Sequence, residues 1–395
     1  MPQIKKVTLQ SGKVRYRAVV DMGHDTQGKR KQRTVTMDTA AEVRDEIARI
    51  RNQRATGMFV MPSRITVSEW LDIWLATKAE DLEESTVQAY KNALVHVHSY
   101  LGYMRLQELT EEHVESMVAW LLVGARRRSG RAGTGLRPST AQGVLSRLKE
   151  ALGRAVVRKL VHVNVAEHVK IPRRARKEDK RTNKRPAPWN VVEVKDFLLG
   201  IKDERLFAPL ILSLMGLRPA EVAGLRWEDI DFDAGTLVIA NTRTMIGNAR
   251  VLEKGTKSEA GERTLPLPRP VKQAMLAYQV TQELEQMSMG ALYQRSGYMF
   301  VDHLGRPLTT RHLREAAYSL QLKLELRKVR LYDARHSCLT FLAVNGVPDV
   351  VLAAWAGHAN ANFTKWVYVR PSPEDLRVAS DHLASLLGSS EGEAV

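Results

Sequence analysis

The sequence contains a single cysteine, Cys338, which excludes an intrachain disulfide and any cysteine-rich zinc cluster. It also has no apolar run long enough to span a bilayer and no amphipathic lysine-rich anchor in its place. The opening MPQIKKVTLQSGK lacks the apolar core of a signal peptide, so the protein is expected to stay in the reducing cytoplasm, with no membrane partner. No internal repeat is present. Acidic residues are in deficit. The chain has 44 Asp and Glu against 60 Lys and Arg, a formal net charge of +16. An excess of that size favours a polyanionic partner, nucleic acid foremost. With 395 residues the chain is too long for one small core and is expected to hold two or three domains.

Residues 1 to 62 carry short β-rich runs, Val14 to Val20 and Arg33 to Met37, separated by glycine-bearing turns, then a helix on which Val43, Ile47 and Ile50 recur at helical spacing. This stretch has 13 basic residues against 6 acidic. The cluster Arg15, Arg17, Lys29, Arg30, Lys31 and Arg33 is either a solvated surface or a DNA contact. From 65 to about 171 the period becomes helical, and four amphipathic helices predict a compact bundle. Two of them are expected to open on capping boxes, Ser85 with Gln88 and Ser139 with Gln142. His96, His98 and His113 have no carboxylate or thiol companions at metal-ligand spacing and read as surface or core histidines. Residues 172 to 186 are a basic linker. Between Arg173 and Arg185 eight basic residues stand against two acidic ones, a composition too polar to fold by itself. Arg173, Arg174 and Arg176 are placed either to solvate a tether or to follow a phosphate backbone. Residues 187 to 395 are mostly helical, with a β-rich insert at 236 to 268.

In this last part, LILSLMGLRPAEVAGLRWEDIDFD sets Arg218 just after an apolar helix and the Gly216 stop, with Glu221 three residues on. An arginine at a helix junction can receive an anion or simply pair with the glutamate. The acidic EDIDF reads as turn formers. GTKSEAGERTLPL predicts a β-hairpin with Lys257 near its tip, able to swing into a groove or merely to keep an edge soluble. Arg335 and His336 start a helix ending at Asn345-Gly346; Pro348 opens another that stops at Gly357, so His358 follows a helix stop and Tyr368 comes ten residues later. Cys338 and His336 lie two apart on one helix and face different ways, so no thiol dyad is expected.

Taken together and in order, Arg218, Glu221, Lys257, Arg335, His336, Gly357-His358 and Tyr368 resemble the catalytic domain of the tyrosine recombinases, the phage-integrase family. The resemblance rests on GLRPAEVAGLRWEDID, TKSEAGERTLPL, ARHSCLTFLAVNG and AGHANANFTKWVY and is strongest in that half. The helical bundle is similar to the family's core-site-binding domain, and residues 1 to 62 to the arm-site-binding domain of the larger phage and mobile-element integrases. The implied fold is multidomain: a small α+β domain of a three-stranded sheet plus helix, an all-α bundle, and a mainly α catalytic domain with a small β-sheet. The implied activity is site-specific recombination through a 3′-phosphotyrosyl link and a Holliday junction, needing no cofactor, ATP or metal. Its partners would be double-stranded DNA attachment sites and three further copies in a homotetramer, with room for an excisionase and a host DNA-bending protein.

The residue types suit that chemistry on their own terms. Two guanidiniums, Arg218 and Arg335, can neutralise the charge that develops on non-bridging phosphate oxygens. A Tyr368 phenol, with pKa about 10, is more easily ionised beside them than a serine. Lys257 can protonate the departing 5′ oxygen, His358 can hydrogen-bond the phosphate, and Glu221 can orient the cations. One departure stands out: the family usually has a histidine three residues before the second arginine, and this chain has Tyr332. Its phenol can donate to phosphate but is a poor base at neutral pH, and the ring can equally be core packing. A type IB topoisomerase, or a catalytically silent DNA-binding protein, would leave similar traces.

Overall fold

The computed structural model describes residues 2–9, 12–24, 30–55, 59–126, 133–183, 187–246, 250–255 and 261–358. The chain divides into two compact units, Met1–Lys184 and Arg185–Val395.

The first unit opens with an antiparallel sheet ordered β1 (Lys5–Thr8), β2 (Val14–His24), β3 (Arg30–Met37), backed by α1 (Ala40–Ala55). Strand alternation explains the pairing of faces: Ala18, Val20 and Met22 point to one side and form a core with Val43, Ile47 and Ile50 of the helix. Arg17 and Val19 point the other way and stay exposed, with Arg17 in register with Lys5 and Thr36.

A separate core fills the bundle of α2 (Val67–Ala79), α3 (Glu84–Leu101), α4 (Glu111–Val123) and α5 (Pro138–Val157). Within it the indole of buried Trp70 donates to Ala151 O at 3.0 Å, tying the first helix to the last. The two expected capping boxes do not form. The helices start two residues earlier than the boxes require, on Glu84, whose charge suits a helix N-terminus, and on Pro138, whose fixed φ suits the first helical position. Ser85 and Ser139 therefore sit inside the first turn, while Gln88 bonds Asn92 and Gln142 bonds Ser146. The boxes that do form are Thr66 with Glu69 and Thr110 with His113. His98 bonds Ser68, and His96 packs edge-on near Trp120.

The basic stretch expected to be an unfolded tether carries a helix, α6 (Arg173–Thr182). None of its residues is buried, in keeping with its composition, but lysine, arginine and glutamate are good helix formers. Bonds from Arg176 to Gln142 (2.7 Å) and from Arg137 to Asn183 (3.1 Å) hold it to the start of α5.

In the second unit, the apolar α8 (Phe207–Leu214) lies in a core shared with α7 (Val191–Gly200), α10 (Arg269–Met289) and α11 (Thr310–Lys323), and it packs against α12 (Leu331–Val344). The strands form two sheets, one ordered β4 (Ile230–Asp231), β5 (Thr236–Ile239), β8 (Arg263–Pro266) and a separate ribbon of β6 (Asn241–Ile246) and β7 (Arg250–Gly255). GTKSEAGERTLPL is therefore not a simple hairpin. Its leading strand β7 pairs with β6, and its trailing strand β8 pairs with β5. Each strand pairs with a stretch earlier in the chain because Thr236 to Ile246 offers two successive ladders. Lys257 falls between β7 and β8, outside the described residues. Asp229 and Asp231 close turns by accepting from Arg226 N and Ala234 N.

Candidate active site

Four chain segments converge on one cluster. Gly216 ends the α8 region at φ +109, a backbone conformation in which a Cβ would be strained, with Trp355 Nε1 and Cys338 Sγ in van der Waals range of it. The turn exposes two carbonyls. Met215 O accepts from Trp355 Nε1 (2.9 Å) and Cys338 Sγ (3.2 Å), and Gly216 O accepts from Arg335 Nη1 (2.6 Å).

Pro219 then starts a short helix, α9 (Pro219–Gly224), which makes Arg218 its N-cap. Glu221 reaches back to the Arg218 N–H at 2.8 Å, and its other oxygen accepts from Arg218 Nη1 at 2.6 Å. Arg218 Nη2 donates to Gly357 O at 3.0 Å. Gly357 is the left-handed residue, φ 61, that ends α13 (Asp349–Ala356) and turns the chain so that His358 comes back over the cluster.

Arg335 is completely buried in α12. Besides Gly216 O it donates to Ala356 O, and Nη2 lies 3.2 Å from His358 Nε2. A guanidinium only donates, so Nε2 is the acceptor and the proton of neutral His358 sits on Nδ1. Burial, followed by the charges of Arg335, Arg218 and Arg263, lowers the His358 pKa to about 4.

Arg263, on β8, is the member that sequence reasoning missed. It is buried and donates to both oxygens of Glu221 (3.2 and 3.1 Å), to Gly261 O (3.0 Å) and to Trp355 O (2.8 Å). Strand parity was the available signal, because Arg263 alternates inward with Leu265, a core residue. Glu221 is itself buried. Burial opposes its ionisation, but the hydrogen bonds and charge of Arg263, with Arg218, outweigh it and hold the carboxyl below its usual range. With neutral His358, three guanidiniums against one carboxylate leave two net positive charges in the cluster.

The structure thus brings together Arg218, Glu221, Arg335 and His358. Tyr368, like Lys257, lies outside the described residues. Tyr332 is one turn before Arg335 and 45% exposed, its ring packed edge-on against His336 at 5.1 Å. Cys338 is separate from that histidine: its thiol donates to Met215 O, and burial pushes it up to about 12, which removes it as a nucleophile at neutral pH.

The basic residues of the first unit are arranged differently. Arg15 pairs with Asp38 (3.1 Å), Arg30 with Asp21 (3.0 Å) and Arg33 with Glu46 (3.9 Å). Arg17 and Arg15 share the open face of the sheet, whereas Arg33 lies on the helix-bearing face. Lys31 is in β3, and Lys29 is outside the described residues. Arg173, Arg174 and Arg176 are exposed on α6.

Two family models match the chain: the phage integrase family over residues 199–375, and the phage integrase N-terminal SAM-like domain over 66–121. An integrase of Streptomyces ambofaciens is 25% identical over 378 residues, which cover 93% of each chain. Among solved structures, the Tn1549 transposon integrase in complex with transposon right end DNA superposes with a TM-score of 0.65 at 18% identity, over 81% of this chain and 99% of that one. A lambda integrase tetramer bound to a Holliday junction gives 0.54 at 14% identity, over 90% and 96%.

Proposed function

The chain belongs to the phage integrase family and is a site-specific DNA recombinase that cleaves and rejoins DNA; we propose that Arg218, Arg335, His358, Glu221, Lys257 and Tyr368 carry the cleavage. The observation that supports this assignment is the convergence of Arg218, Glu221, Arg335 and His358, from three separated segments, into one cationic cluster in which Glu221 and Arg335 are buried and Arg218 and His358 half-buried. Bonds to backbone carbonyls fix both guanidiniums before any substrate arrives, which is the preorganisation that stabilises developing charge.

In the proposed step, Tyr368 gives up its phenolic proton to solvent, its oxygen forms a bond to phosphorus, and the bond from phosphorus to the 5′ oxygen breaks. The products are a 3′-phosphotyrosyl link and a 5′-hydroxyl whose proton comes from Lys257. Arg218 and Arg335 take the non-bridging oxygens, and neutral His358 donates a hydrogen bond. Tyr332 stands one turn from Arg335 and adds a phenolic donor. The link conserves the bond energy, so a 5′-hydroxyl of a second duplex reverses the step and builds a Holliday junction. The named relatives are integrases and recombinases rather than topoisomerases, so relaxation of a single duplex is the less favoured reading.

Residues 1–62 are assigned to arm-type sites, 65–171 to core sites, 172–186 to a basic connection along the backbone, and 187–395 to catalysis. Arg15, Arg17, Lys29, Arg30, Lys31, Arg33, Arg173, Arg174 and Arg176 supply phosphate contacts. The lambda integrase is a tetramer on its junction, and the same assembly is assigned here, with excisionase and a host DNA-bending protein as accessory partners. Among the described residues no helix is long and apolar enough to cross a membrane, and the assigned compartment is the cytoplasm.

The test is covalent trapping. Nicked suicide duplexes made from the DNA flanking the coding region are incubated with the protein and run on a denaturing gel. The parent is expected to give a protein-linked band and Tyr368→Phe none, with DNA binding intact. A normal band from that variant would move the nucleophile elsewhere.

A further inference from the structure

Arg263 has four of its five N–H donors committed within the protein: Nε to Trp355 O, Nη1 to Glu221 and Gly261 O, and Nη2 to Glu221. At 7% exposure it has no face for a substrate. Its effect on the cluster runs through Glu221. That carboxylate offers one oxygen to the Arg218 guanidinium, at Nη1, and the other to the Arg218 N–H, and Arg263 fills the remaining side of both oxygens. Without Arg263, the only guanidinium left on a buried carboxylate would be Arg218. The pair would be neutral, and the cluster would drop from two net positive charges to one.

We propose that Arg263 is a positioning residue for strand cleavage: by sharing Glu221 with Arg218, it supplies the second positive charge on that carboxylate, so that Arg218 is held in orientation and the cluster keeps a net positive charge for the scissile phosphate. The proposal rests on the assignment of the cluster to the phosphate. A phosphodiester carries one negative charge and its transition state under phenolate attack carries two, so a cluster of two positive charges matches the state to be stabilised and a cluster of one does not. Arg263 also joins β8, α9 and the carbonyl of Trp355 in α13, so a purely mechanical clamp is the competing role.

Charge variants separate the two. Single-turnover cleavage of a nicked suicide duplex is measured for the parent, Arg263→Met, Arg263→Lys and Glu221→Gln/Arg263→Met. The Met variant is expected to cleave about a hundredfold more slowly, on the scale of losing one transition-state donor. The Lys variant keeps the charge and should stay within about tenfold of the parent, although it loses the fork. The double variant removes the unpaired carboxylate and returns the cluster to two positive charges, so it should recover at least about tenfold over the Met variant despite having fewer hydrogen bonds. If the Met variant does not fold, the Lys and double variants still decide. Parent-like cleavage by the Met variant, a Lys variant as slow as Met, or a double variant no faster than Met or a hundredfold slower than the parent would overturn the proposal. A parent that trapped no DNA would instead remove the assignment of the cluster, which is a different failure.

Discussion

Arg335 in the second unit is completely buried, its guanidinium set against the carbonyls of Gly216 and Ala356, whereas Arg17 in the first unit lies exposed on an open sheet face opposite Lys5 and Thr36. Neighbouring Arg15, Arg30 and Arg33 pair with Asp38, Asp21 and Glu46 near the surface. Exposed pairs of this kind are worth roughly 0 to 1 kcal/mol each, so a phosphate can replace the carboxylate at little cost. The buried arginines cannot rearrange so cheaply. On the proposed assignments the same residue type would serve two ends: exchangeable contacts that add affinity over many phosphates, and a fixed arrangement that fits one phosphate in one state.

The largest effect is expected from removing the exchangeable set outright. Deleting residues 1–62 should abolish recombination between full attachment sites while leaving cleavage of a core-site suicide duplex within a few-fold of the parent, roughly the limit for a contact absent from the reacting phosphate. Normal recombination by the truncated protein would erase the division between the two regions. Next come Arg218→Lys and Arg335→Lys, which keep charge but lose the planar fork. Cleavage should fall about a hundredfold to a thousandfold with core-site binding little changed. Single-turnover rates near the parent's would mean that the buried arginines are merely structural.

Tyr332 sharpens the boundary, since it is as exposed as the sheet residues but one turn from Arg335. If its phenol bonds the phosphate, Tyr332→Phe slows cleavage about tenfold to a hundredfold, in line with losing a hydrogen bond to a charged group. Unchanged cleavage would make it part of the wall. The smallest effect concerns the pH dependence of the cluster. His358 has its pKa lowered from 6.5 to about 4 in the folded protein, so between those values the unfolded chain binds a proton that the folded one does not. Stability contributed here is complete above the unfolded value and falls as pH drops toward the folded one. Melting temperatures followed downward from pH 7 should decline less steeply in His358→Gln, and identical slopes would show that the imidazole is not held neutral.

Much of the cluster was legible because its motifs are local. Gly216 and Gly357 mark helix stops and Arg218 stands three residues before Glu221, but singly these signals named no site; Arg218, Glu221, Arg335 and His358 were named because their order and motifs resemble the phage-integrase family. Arg263 was not, because its role depends on β8 pairing with β5 and on α13 arriving beside it, both contacts between distant parts of the chain. The pairing of β7 with β6 was hidden for the same reason. Near the bundle, Pro138 and Glu84 decided helix starts that Ser139 and Ser85 had seemed to own. At α6, helix propensity and two bonds to its neighbours overcame a composition that buries nothing.

The most direct measurement is the site of DNA attachment. Parent protein trapped on a suicide duplex, digested with nuclease and protease and mapped by mass spectrometry, should carry the nucleotide on the peptide containing Tyr368. Attachment at Tyr332, or no attachment under conditions where the protein binds its site, would contradict the assignment of the buried arginine cluster to cleavage by Tyr368.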